Sequence, residues 1–280
     1  VQSFMDCQSL ANVSIGGNVS AIKTQAFANC ENLETAIISD SVTEIAQYAF
    51  YRCHALDTVK IGSGVKTIRK QTFGECYALD EFVIPDNIEV IEPKAFDGIS
   101  VDKLIIGKGV RDIGDAFITC DTLKTVVINE ENPYYSTDSE SVIFNKDKTT
   151  LISFPQTNKS NSYVIPEGVK TIAPKAFYDI VTLESVTMPD TVTEIGESAF
   201  ELCQKIKTFD MPDSVVDIGK KAFKYCTSLE SIVIPDGVTS IKYYTFYECK
   251  NMVSAVLSDN ITVIDERAFY QCTKLTDFNF

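Results

Sequence analysis

The chain has 280 residues, 45% of them hydrophobic and 23% charged, and 25 Lys and Arg stand against 39 Asp and Glu for a formal net charge of −14. This is the composition of a globular, soluble chain with enough apolar content for one extended core. The acids are spread over candidate turns and no Lys/Arg-rich block occurs, which argues against nucleic acid and anionic membrane surfaces as partners; no apolar run approaches the ~18 residues of a membrane span.

Phenylalanine recurs with a step of 23 residues at Phe4, Phe27, Phe50, Phe73 and Phe96, and again at Phe177, Phe200, Phe223, Phe246 and Phe269. A fixed period of this length is a solenoid signature. Counted from its Phe, each unit carries Cys at plus three, an aliphatic such as Leu33 or Leu229 at plus six, then apolar residues at alternate positions, such as Val59 and Ile61 or Ile232 and Ile234. That alternation predicts a short strand with one face buried. A turn follows, as at Pro85-Asp86, Pro235-Asp236 or Gly62-Ser-Gly64, then a second apolar pair such as Val238 and Ile241, and in most units Ala-Phe closes the coil. Proline stops the strand and presets the turn.

One such unit cannot fold alone. Ordering each residue costs on the order of 1.5 kcal/mol, while each inward side chain returns roughly 1.5–3 kcal/mol only when fully buried. Stacking at the ~4.8 Å strand spacing buries both flanks and sets like residue on like residue. The expected architecture is a mainly β repeat solenoid of about eleven coils, one extended domain over residues 1–280, about 50 Å long.

In chain order, residues 1–128 form a first block of repeats. Its start at Val1, three residues before a repeat Phe, is what a processed or trimmed chain would show. The coil from Phe96 to Phe117 is short by two residues, with Val101 one place early in the Leu slot and Ile113 only four residues before Phe117. The stretch 129–165 departs from the repeat: it contains Asn132-Pro-Tyr-Tyr135 and two apolar runs about Asn145-Lys-Asp-Lys148, which predict a β-hairpin leaning on the solenoid edge. Residues 166–280 form a second block, whose last strand, Asp277 to Phe280, has no polar cap. That leaves end-to-end self-association, a covering partner or a longer natural chain open.

The nine cysteines (Cys7, Cys30, Cys53, Cys76, Cys120, Cys203, Cys226, Cys249 and Cys272) all fall at plus three, where two other coils have Ile99 and Ile180. A position that accepts Cys or Ile is a small apolar core slot. A disulfide between neighbouring coils is sterically open, but the odd count and the Ile replacements weigh against it. The spacing fits no zinc pattern, and no metal or cofactor is expected.

The unit F-x-x-C-x-x-L-x-x-(V/I)-x-I-P-D-x-V-x-x-I-x-x-x-A, with its interruption containing NPYY and FNKDKTTLISFP, resembles the BspA-like branch of the leucine-rich repeat family over essentially the whole chain. The resemblance implies a right-handed leucine-rich repeat arc. It also implies a secreted or cell-surface location, and adhesion to host or other extracellular proteins or macromolecules.

Catalytic chemistry is missing. The one histidine, His54, sits in an ordinary coil, and the carboxylate pairs Asp80-Glu81 and Asp265-Glu266 fall at outward turn or strand positions. No triad or metal centre assembles from these, and a glycan-active enzyme is a remote alternative resting on the paired acids alone. What remains is surface. Outward strand positions form a hydroxyl column including Thr35, Thr58, Thr125 and Ser231 and an aliphatic column including Ile37, Val83, Val127, Val233 and Val256. These suit a broad protein-binding face, although Thr and Val are also simply good strand formers. Tyr134 and Tyr135 of the insertion are a second candidate. The expected role is a non-enzymatic binding module; the alternative is a structural spacer displaying another domain.

Overall fold

The parallel ladders of this chain follow from its period, because a 23-residue step returns each residue type to the same slot one coil later. The computed structural model describes residues 1–114, 122–157 and 160–279. Strands Asn12–Ile15, Thr35–Ile38 and Thr58–Lys60 pair in parallel, Asn12 beside Thr35 beside Thr58. Most coils then turn and lay down a two-residue second strand, as in Ala21–Ile22 paired with Glu44–Ile45. At the turn between them the stacking is close: a Cβ on Gly64 would fall 2.4 Å from the Asp40 carbonyl, so only glycine fits.

The core is a ladder of rings. Successive Phe centroids lie 5.1–5.7 Å apart from Phe4 to Phe73 and 4.9–5.5 Å apart from Phe154 to Phe269, in stacked geometry. These spacings are those of favourable offset aromatic pairs. Where a strand places a further ring inward, it wedges between two rungs: Phe82 lies 5.2 Å from Phe73 and 5.3 Å from Phe96, and Phe209 4.8 Å from Phe200 and 4.7 Å from Phe223. The residue before Phe is buried Ala in most coils, and where it is Thr72 or Thr245 the hydroxyl donates to the carbonyl of Arg69 or Lys242, which satisfies it.

The backbone around most of the described ladder Phe residues is left-handed twice. Gln25 and Asn29 about Phe27 both have φ of 57°, and Lys221 and Tyr225 about Phe223 have φ of 59° and 62°. Such geometry costs a non-glycine residue of order 1 kcal/mol or more. It aims two N–H groups along the stack: Phe27 and Asn29 donate to Ala49 and Tyr51 at 2.8 Å, and Phe223 and Tyr225 to Thr245 and Tyr247 at 2.9 Å. The inter-coil bonds offset the strain, since a buried N–H left unpaired would cost more.

The cysteines complete this arrangement. In seven coils the thiol donates to the Phe carbonyl of the preceding coil, Sγ to O at 3.0–3.2 Å, as Cys53 does to Phe27 and Cys226 to Phe200. The eight described cysteines are free thiols, buried except at Cys7 and Cys272, which are half-buried; Cys120 lies outside the described residues. Burial pushes the Cys53 thiol up to about 12 and raises those of Cys76, Cys203 and Cys226 as well.

The chain divides into two compact units, Val1–Ser141 and Val142–Phe280. In the first, the short coil shows in the register: Val83, Ile105 and Val127 are strand neighbours, a step of 22 residues each time. Val101 is buried in the Leu slot, as its early position requires. The second expected deletion lies against Phe117, outside the described residues. In the second unit, Ile143–Asn145 and Thr150–Ser153 form the expected antiparallel hairpin about Asn145-Lys-Asp-Lys148. The hairpin does not merely lean on the stack. Thr150 and Leu151 pair in parallel with Thr171 and Ile172, Phe154 stacks 5.1 Å from Phe177, and Ser162–Val164 pairs with Ser185–Thr187. The repeat has therefore resumed by Phe154, inside the stretch 129–165 that spacing alone sets apart. Ser153, Thr157 and Ser160 occupy the Ala, Cys and Leu slots of that coil and hide its register in the sequence.

Three outcomes are expected. Phe223→Ala, which opens a void between rings 5.4 and 5.5 Å away, should lower unfolding free energy by about 3–5 kcal/mol in urea titration. At Lys94, with φ of 60°, a β-branched Val should destabilise by about 1–2 kcal/mol and Gly should not, as read by melting temperature. The raised thiol of Cys53 holds its full stabilisation below pH 9 and loses it as pH rises toward about 12. Cys53→Ala should therefore make the fall of stability with pH shallower over that window by up to about 1.4 kcal/mol per pH unit.

Candidate functional site

Strand alternation decides which side chains are available. In Thr35–Ile38 the buried residues are Ala36 and Ile38, so Thr35 and Ile37 face outward; in Glu81–Ile84 Phe82 and Ile84 are buried and Glu81 and Val83 face outward. Pairing then aligns these outward residues across coils. In the first unit Thr35 lies beside Thr58 and Ile37 beside Lys60, and further along Val83, Ile105 and Val127 form an unbroken apolar row three strands wide. Beside that row stand Glu81, Lys103 and Thr125, with the Lys103 ammonium 2.8 Å from Glu81. In the second unit Ser231 and Val233 lie beside Ser254 and Val256. Val83 is 51% exposed and Val233 62%, values that packing within a coil does not require.

Val164, at 67% the most exposed of these valines, occupies the same slot as Val233. Sequence spacing missed it because the coil begun at Phe154 was hidden. The 23-residue step back from Phe177 is the signal that finds it.

The two tyrosines of the insertion have different roles. Asn132 is fully buried; its amide donates to the carbonyls of Gly107 and Val110 at 3.1 and 2.9 Å, and its Oδ1 accepts from the N–H groups of Tyr134 and Tyr135 at 2.8 and 3.0 Å. This pins the segment to the preceding coil. Tyr135 is half-buried, donates its hydroxyl to the Arg111 carbonyl at 2.9 Å, and has its phenol pushed up by burial. Tyr134 is exposed.

His54 stacks on Tyr77 with centroids 5.0 Å apart in a polar furrow that also holds Arg52 and Glu75. Glu75 receives the Arg52 guanidinium at 3.0 Å and the hydroxyls of Tyr51 and Tyr77, and these hold its carboxyl below the usual range, Tyr51 foremost. Asp80-Glu81 and Asp265-Glu266 are exposed. Among the described residues no group of three or more His, Cys, Asp or Glu could hold a metal ion, and no helix is long and apolar enough to cross a membrane.

A family model described as BspA type leucine rich repeat region, in six copies, matches residues 1–124 and 151–276. Among solved structures, a leucine-rich repeat protein from Eubacterium ventriosum is similar at 24% identity and a TM-score of 0.83, with 96% of this chain and 72% of that one covered. A leucine rich cell surface protein from Faecalibacterium prausnitzii is 30% identical over 96% of this chain and 79% of its own, with a TM-score of 0.78. A leucine-rich repeat protein from Bacteroides ovatus matches at 22% identity, 98% and 81% coverage and a TM-score of 0.63. No curated protein matches the sequence.

Proposed function

The chain belongs to the BspA-type leucine-rich repeat family, and on that footing we propose that it is a non-enzymatic binding module of a secreted or cell-surface protein, engaging an extracellular protein through its strand face. The observation that carries this reading is the in-register row of Val83, Ile105 and Val127, apolar area held outward on a fixed sheet. A rigid face is bound at little cost in conformational entropy, and a contiguous apolar row flanked by charged and hydroxyl groups has the make-up of an interface core with its polar rim. The cell-surface description of the Faecalibacterium relative supports the location. The second unit contributes a similar, smaller patch at Val233 and Val256 beside Ser231.

The test is direct binding of the purified chain to a panel of extracellular-matrix and plasma proteins by biolayer interferometry. For any protein bound, Val83→Glu and Val233→Glu, each with an unchanged melting temperature, should weaken association at least about tenfold for the unit in contact. A loss confined to Tyr134→Ser would place binding on the insertion. Wild-type affinity in all three variants would leave the strand face as scaffold and favour a spacer.

A further inference from the structure

Five successive coils of the second unit leave a furrow of about 350 Å³ on their second-strand side. Its lining repeats with the period of the chain. Glu194 and Asp217, partners in the ladder of second strands, line it together with Lys220 and Tyr243. The floor is Gly196 and Gly219. A Cβ on either would come within 2.5 Å of the preceding coil's backbone, so close coil packing keeps the floor bare and the furrow open. In the next coil the glycine slot holds Lys242, whose ammonium reaches Asp217 at 2.5 Å.

Tyr243 is the aromatic surface of this furrow. Its ring packs on Tyr244 with centroids 3.9 Å apart at 63°, and the Tyr244 hydroxyl accepts from the Arg267 guanidinium at 2.6 Å. The ring is braced yet Tyr243 remains 37% exposed. Lys220 is oriented by Glu197 at 3.3 Å. Glu194 and Asp265 add further carboxylates to the lining.

Fixed acceptors, oriented ammonium donors and one open aromatic face, spread along a shallow channel, match the chemistry of a polyol. Carboxylates accept from vicinal hydroxyls, ammonium groups donate to ring and bridging oxygens, and an aromatic ring covers the C–H face of a pyranose. An anionic ligand is disfavoured, because carboxylates outnumber ammonium groups in the lining. The coil spacing of ~4.8 Å is also close to the length of one hexopyranose in an extended chain, so successive sugars would meet equivalent slots on successive coils. We propose that this furrow binds a neutral, extended, β-linked oligosaccharide, with Tyr243 as the stacking platform and Glu194 and Asp217 as hydroxyl acceptors. The site is separate from the strand-face residues and does not depend on what they bind.

Isothermal titration of the full chain with the β-1,4-linked hexasaccharides of glucose, mannose and xylose tests this. At least one should bind, with Tyr243→Ala weakening it about tenfold or more, Tyr243→Phe close to wild type, Glu194→Gln weaker, and Val233→Glu and Tyr77→Ala unchanged. Absence of heat with all three sugars at millimolar concentration overturns the proposal. So does sugar binding that is indifferent to both Tyr243→Ala and Glu194→Gln in proteins of unchanged melting temperature. Binding of oligolysine in place of any sugar would make the furrow a basic-peptide site and equally overturn it.

Discussion

Everything in this molecule depends on the polar groups of the repeating phenylalanine being spoken for by neighbouring coils. The N–H of Phe27 donates forward to Ala49, and its carbonyl accepts from the N–H of Cys30 in its own coil and from the Cys53 thiol in the next. Its ring stacks on Phe4 and Phe50. One residue thus joins three coils through backbone, thiol and aromatic face. The left-handed residues on either side are tolerated because this network over-determines them.

The same network explains why the fully buried cysteines among the described residues are poor nucleophiles. A reactive thiol needs exposure and an electropositive neighbourhood that favours the thiolate. Here the thiols of Cys53, Cys76, Cys203 and Cys226 are buried, donate to carbonyls, and are pushed away from ionisation by desolvation. Cysteine serves as a small apolar residue with one weak donor, which suits a slot facing an otherwise half-satisfied carbonyl. Isoleucine fills the slot at Ile99 and Ile180 by volume alone.

With the interior committed to stacking, function is left to side chains that point out, and their arrangement is inherited from the ladder. The strands present Val83, Ile105 and Val127 as a row because the register is locked from inside by Phe82, Leu104 and Val126, which are buried. The furrow of the second unit arises in the same way, from glycines that close packing demands at two successive coils. Surface features on such a scaffold come as columns, so a ligand that is itself extended and repetitive finds equivalent contacts along it.

How much was legible in the sequence follows from this repetition. The Phe step, the Cys slot, the alternating strands and the hairpin about Asn145 to Lys148 are all written locally, and a stack forces the same slot onto the same neighbour, so period alone determined the fold, the core slot of the cysteines and which strand residues face outward. Three things only the tertiary structure decided. Although Phe154 lies one 23-residue step before Phe177, Ser153, Thr157 and Ser160 mask its other slots, and its place as a rung of the buried ring ladder was decided by its ring lying 5.1 Å from that of Phe177. The different roles of Tyr134 and Tyr135 depend on which hydroxyl reaches Arg111, a contact between coils that adjacent letters cannot encode. The furrow beneath Tyr243 exists because side chains 23 residues apart meet across coils whose backbones pass too closely for a Cβ, and proximity of that kind is a property of the stack rather than of any single repeat.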